Sequence, residues 1–253
     1  MNNNAVSFQK VTKLYFTGKR YQPTFREWTD AILTGKSFYR PKAQLKALNQ
    51  ISFTVKQGSV IGIIGSNGAG KSTVLKLIAK ITYPNEGLIE TQGTVAGLLE
   101  LGTGFHEELT GSENVYIYAS ILGLNRKKIA AIYKEIVQFA GIEDFMDTPV
   151  KHYSSGMYAR LGFAVAVHVR PNILLIDEVL AVGDLAFKEK CLSFMKDYCR
   201  HPHHTVVFVS HSLENVKAVC TEVMWIEKGK IIMHGHPAQV IKAYERDQKN
   251  TPS

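Results

Sequence analysis

The chain has 253 residues and 45% apolar content, enough to bury a sizeable core and too apolar for disorder. Its clean apolar runs, such as ILLI at 173–176, are far shorter than the roughly 20 residues of a bilayer span, and no charged-then-apolar N-terminal segment marks a signal peptide. The formal charge of +8 suits nucleic acid, anionic lipid or a phosphorylated substrate, and three cysteines without a CxxC pattern point to a reduced compartment.

In chain order, residues 5–15 predict a first strand and 47–57 alternate like a second. The run SVIGIIG at 59–65 predicts a buried strand leading into a glycine-rich turn and a helix over 71–80. Short strand signals follow at 87–98. Helical period fills 111–140, broken at Gly123 and Gly141, and another helix begins near 156. NILLID (172–177) and TVVFVS (205–210) predict buried strands; 223–235 predicts a hairpin with a Lys-Gly turn, and 237–247 a final helix. The cluster His201-Pro202-His203-His204 is read as a surface loop rather than a metal site. Alternating strands and helices around a helical block argue for an α/β core with an inserted α-helical subdomain at about 100–165.

Gly65-Ser66-Asn67-Gly68-Ala69-Gly70-Lys71-Ser72-Thr73 matches GxxxxGK[ST] between an apolar strand and a helix. The glycines let consecutive N–H groups point at phosphate oxygens, and the helix start adds its partial positive charge. Lys71 is expected to reach the β- and γ-phosphates of ATP, and the Ser72 hydroxyl to ligate Mg²⁺. The apolar strand 173–176 ends in Asp177 and Glu178. Asp177 fits the Mg²⁺ shell and Glu178 fits polarisation of the attacking water. His211, after another buried strand, is a candidate sensor of the γ-phosphate.

Far downstream lies Tyr153-Ser154-Ser155-Gly156-Met157, a helix start with a free hydroxyl and little side-chain bulk. With the phosphate loop and Asp177-Glu178 in this order, the chain resembles the ATPase subunits of ABC transporters over nearly its whole length, 1–253 forming a single nucleotide-binding domain. The stretch stands where that family has LSGGQ, with Ser155 in place of the first glycine and Met157 in place of glutamine. The resemblance implies a homodimer in which Ser154, Ser155 and Gly156 of one copy meet the ATP held by the other; an ordinary helix cap is compatible with the same residues. It further implies that Tyr15 stacks on adenine, its alternative being a core tyrosine at a strand end. Asp184 is expected to couple the two sites, and Arg160 stands at the family's usual spacing. The expected glutamine loop has no glutamine here; Glu100 is the nearest candidate for Mg²⁺ or water.

LLELGTGFHEELTGSENV (98–115), the YSSGM stretch and LLIDEVLAVGD (174–184) resemble the ATPases that export lipid-linked polysaccharides, either wall teichoic acid or O-antigen. The alternatives are an ABC ATPase of another transporter, or a soluble one acting on nucleic acid. The segment 16–46 holds seven basic residues against two acidic, interleaved with aromatics. Phe25, Trp28 and Ile32 share one helical face, suited to an anionic membrane surface. The resemblance implies a lipid-linked substrate near Arg26 and Trp28, the alternative for this segment being a solvated decoration packed on the first sheet. It also implies two copies of a membrane permease as partners, with the chain peripheral on the cytoplasmic face of the membrane. No recognised nucleic-acid module surrounds the patch, so nucleic acid is not an expected partner.

Overall fold

The computed structural model describes residues 3–17, 43–97, 104–177, 184–199, 204–210 and 212–250. Strand β1 (Asn4–Thr17) pairs antiparallel with β2 (Ala43–Lys56) on one side and β4 (Glu86–Thr91) on the other. The second sheet runs β5-β6-β7-β3-β8-β9, comprising β5 (Val95–Gly97), β6 (Ile173–Ile176), β7 (Thr205–Val209), β3 (Val60–Ile64), β8 (Glu222–Glu227) and β9 (Lys230–Gly235). All its pairings are parallel except β8 with β9.

The four central strands are apolar along their interiors, with polar residues only at strand ends such as Thr205, Glu222 and Glu227, because both of their faces are covered. Ile61, Ile63, Ile173, Leu175, Val207, Val209, Met224 and Ile226 face one core, shared with β1, β2 and helix α1 (Lys71–Ile78). Their neighbours Val60, Ile64, Leu174, Ile176, Val206, Phe208, Val223 and Trp225 face the other. That core holds α2 (Gly111–Ile121), α3 (Arg126–Ala140), α4 (Ser155–His168), α5 (Leu185–Cys199), α6 (Leu213–Val219) and α7 (Pro237–Asn250). This period-2 division shows why continuous hydrophobic runs form strands here. Gly62 permits α6 to lie close: a Cβ would come 2.8 Å from Val216 Cγ1 and 2.9 Å from Cys220 Sγ.

The predicted interruption at Gly123 falls between α2 and α3, and Gly141 caps α3 in the left-handed conformation at φ 63°. Helix α6 went unrecognised in the sequence, and α5 was implied only as the helix before the 201–204 loop, without bounds. The apolar stripe of α5, Phe187, Cys191, Met195 and Tyr198, runs through a lysine-rich segment, and α6 is only seven residues long. Both ends of the 16–46 segment are strand rather than insert, for Phe16 pairs with Gln44 and Thr17 with Ala43. The intervening residues therefore leave and return at one end of the antiparallel sheet; the helix expected there, with Arg26 and Trp28, lies outside the described residues.

Candidate functional site

Strand β3 delivers the phosphate loop at its C-terminal end, beside those of β6 and β7, where ligands of parallel α/β sheets sit. Gly70 stands at φ 111°, and a Cβ there would come 2.6 Å from the Ala47 carbonyl oxygen. Glycine thus lets the loop turn into α1 while touching β2. Helix α1 opens without a side-chain cap, whereas α2, α3, α4 and α6 each carry one. A helix start of this kind is suited to an anion.

A cavity of about 290 Å³ gathers Tyr15, Leu45, Ala47, Asn67, Gly68, Gly70, Lys71, Ser72, Thr73, Asp177 and Val209. Tyr15 pairs with Leu45 across the β1–β2 ladder, so an aromatic ring and an aliphatic side chain meet at one end. Lys13 Nζ sits 5.3 Å from the Tyr15 ring centre. At the other end Lys71, almost fully buried, donates to the carbonyl oxygens of Gly65 and Ser66, both at 2.8 Å. Burial lowers the pKa of its ammonium, while the carboxylates of Asp177 and Glu227 pull it back up. Gly65, Ser66 and Ala69 do not line this cavity. Ala69 is buried, and the Ser66 hydroxyl turns to Glu227 at 2.5 Å. Glu227 and Leu45 were missed in the sequence; the signal for Glu227 was its place directly before the Lys228-Gly229 turn.

Ser154, Ser155 and Gly156 are not in that cavity. They line a separate open concavity of about 720 Å³ with Gly141, Ile142, Phe145, Met157, Ala159, Arg160 and Asp184. Ser154 Oγ caps α4 by accepting from the Met157 N–H at 3.2 Å. A Cβ on Gly156 would make only an ordinary contact, 3.7 Å from Ser154 Oγ, so no neighbour within the chain calls for glycine there. Asp184 caps α5, accepting from the Phe187 N–H at 2.9 Å and from Arg160 at 2.5 Å. The first contact and then the guanidinium hold its carboxyl below the usual aspartate range. Arg160 also lies over the Phe187 ring at 5.1 Å, tying α4 to the start of α5. Glu178, His211 and Glu100 lie outside the described residues.

The profile of the ABC transporter family matches residues 48–181, more than half of the chain, and spans the phosphate loop, Ser154–Gly156 and Asp177. This chain belongs to the ABC transporter family. Similar proteins include the O-antigen export system ATP-binding protein RfbB of Klebsiella pneumoniae, 46% identical over 79% of this chain and 81% of that protein. The teichoic acids export ATP-binding protein TagH of Bacillus anthracis is 42% identical over 96% of this chain, which spans 43% of that protein's length. Among solved structures, a dimeric ATP-binding cassette in a post-hydrolysis state with ADP and Pi shares the fold at TM-score 0.72. It is 20% identical, over 92% of this chain and 98% of that one. Among the described residues, no helix is long and apolar enough to cross a membrane.

Proposed function

We propose that this ABC subunit hydrolyses ATP to drive export of a lipid-linked cell-surface polysaccharide, as a homodimer beneath two copies of a membrane-spanning permease on the cytoplasmic face. The observation that carries the reading is the division of the site into two concavities. One holds the phosphate loop, Tyr15 and Asp177; the other holds Ser154–Gly156 at a helix start. Among the described residues, each concavity is open to solvent. A head-to-tail pair of chains brings the helix start of one copy to the terminal phosphate held by the other, and Gly156 leaves room for that approach.

The residues fit Mg²⁺ as well as ATP, since the Ser72 hydroxyl and the Asp177 carboxylate line the same cavity as Lys71. The bound ion would neutralise phosphate charge. Lys71 and the loop N–H groups stabilise charge building on the transferred phosphoryl group, Tyr15 and Leu45 hold the base, and Glu178 and His211 position water and γ-phosphate. Asp184, held by Arg160, carries the state of one site to the other.

Teichoic acid is the favoured cargo and O-antigen the second. The similarity to the teichoic acid exporter covers 96% of the chain and so takes in most of the basic 16–46 segment. A chain of seven basic residues against two acidic there suits a phosphate-rich polymer near Arg26 and Trp28. The test is ATPase activity of the subunit–permease complex in vesicles. Lipid-linked poly(polyol phosphate) should stimulate turnover, and Glu178→Gln should bind Mg-ATP while losing turnover at least about 100-fold. Stimulation by a neutral lipid-linked O-polysaccharide alone would move the cargo to the second reading. Near-normal turnover by Glu178→Gln would remove the assigned base.

A further inference from the structure

The turn between β8 and β9 grips the phosphate loop at three points. Glu227 Oε1 accepts from Ser66 Oγ at 2.5 Å, and its Oε2 from the Ser66 N–H at 3.4 Å. The Gly229 N–H donates to the Ala69 carbonyl at 2.9 Å. Gly65 lies so close to the Ile226 carbonyl that a Cβ would overlap it. The turn is itself braced, because the Asn49 N–H donates to the Gly229 carbonyl at 2.8 Å. Lys228 and Gly229 both have positive φ, 46° and 72°, which gives a tight two-residue hairpin.

The carboxylate is the unexpected part. A negative charge beside a loop shaped for phosphates repels the ligand, and would weaken binding if it did nothing else. Its contact partner explains it. Lys71 rests on the carbonyl oxygens of Gly65 and Ser66, so the residue that Glu227 holds is half of the seat of the buried ammonium. We propose that Glu227 is a positioning residue of the nucleotide site: by holding Ser66 it places Lys71 for the β- and γ-phosphates. This rests on the ATP-site reading above.

The two roles of the charge give opposite signs. If repulsion dominates, Glu227→Ala tightens ATP binding. If positioning dominates, Glu227→Ala weakens it, and Glu227→Gln, whose amide oxygen still accepts from the Ser66 hydroxyl, restores it. The experiment is calorimetric titration of Mg-ATP into the full chain. Glu227→Ala and Ser66→Ala should each lose about tenfold in affinity, and Glu227→Gln should stay within about threefold. The double Ser66→Ala/Glu227→Ala variant should be no weaker than the single ones, because both act through one contact. Tighter binding by Glu227→Ala, unchanged affinities, or losses that add in the double variant would overturn the proposal. If Glu227→Ala does not fold, the pair Glu227→Gln near native with Ser66→Ala tenfold weaker supports it, and Ser66→Ala at native affinity overturns it. A native chain that fails to bind Mg-ATP would instead sink the ATP-site reading.

Discussion

Asn114 shows how much one polar side chain organises. It is fully buried on α2, yet every polar atom is used. Its Nδ2 shares two hydrogens among the carbonyls of His106, Leu109 and Thr110 at 2.9–3.1 Å, and its Oδ1 accepts from the His106 N–H at 2.6 Å. It thereby pins the segment that leads into α2, together with the reciprocal cap between Thr110 and Glu113. Asn114→Ala leaves several backbone groups without their partner, and should cost about 2–3 kcal/mol in urea unfolding. The sequence carried Asn114 within the run LTGSENV only as a mark of family likeness. Its physical role depends on a loop folding back over the helix, which no local pattern encodes. The phosphate loop is the opposite case. Its glycines, lysine and serine lie within nine residues, so their gathering at one cavity was legible from spacing alone. Glu227 is distant from that loop in the chain, and only the β3–β8 pairing brings it to Ser66.

At the scale of elements, one of the ties between α4 and α5 is electrostatic and exposed. Asp184 accepts from the α5 N-terminus and from Arg160, and its folded-state pKa lies below the ordinary aspartate value of about 3.9. A depressed carboxyl contributes stability that is present above the unfolded value and lost as pH falls through the folded one. Amide exchange in the first turn of α5, corrected for intrinsic rates, should therefore be insensitive to pH from 7 down to about 4 and accelerate below it. Arg160→Ala should move the onset upward by relaxing the depression, while Arg160→Lys should keep part of it. Strands were the most legible elements because both faces of the parallel sheet are covered, leaving uninterrupted apolar runs. Helix α5 also carries a helical apolar stripe, at i, i+4, i+8 and i+11, but set in a lysine-rich run that makes it weaker than the strands. Its burial rests on Phe187, Cys191, Met195 and Tyr198, set among Lys188, Glu189, Lys190 and Lys196, and its packing partners Phe139 and Phe163 come from α3 and α4.

At the scale of the whole molecule, the proposed head-to-tail pair makes the two concavities two half-sites of one chain. Ser154→Arg fills the second without touching the first, and Lys71→Ala disables the first without touching the second. Each variant alone, paired with its own kind, has no whole site. Mixed pairs differ: the phosphate loop of the Ser154→Arg chain meets the intact helix start of the Lys71→Ala chain. The decisive measurement is ATP hydrolysis by complexes assembled from the two variants together, against each alone. The account predicts two inactive preparations and recovery on mixing, up to roughly a quarter of the native rate, since half of the random pairs are mixed and each holds one complete site. No recovery on mixing, with both variants folded and paired, would contradict a site built from two chains.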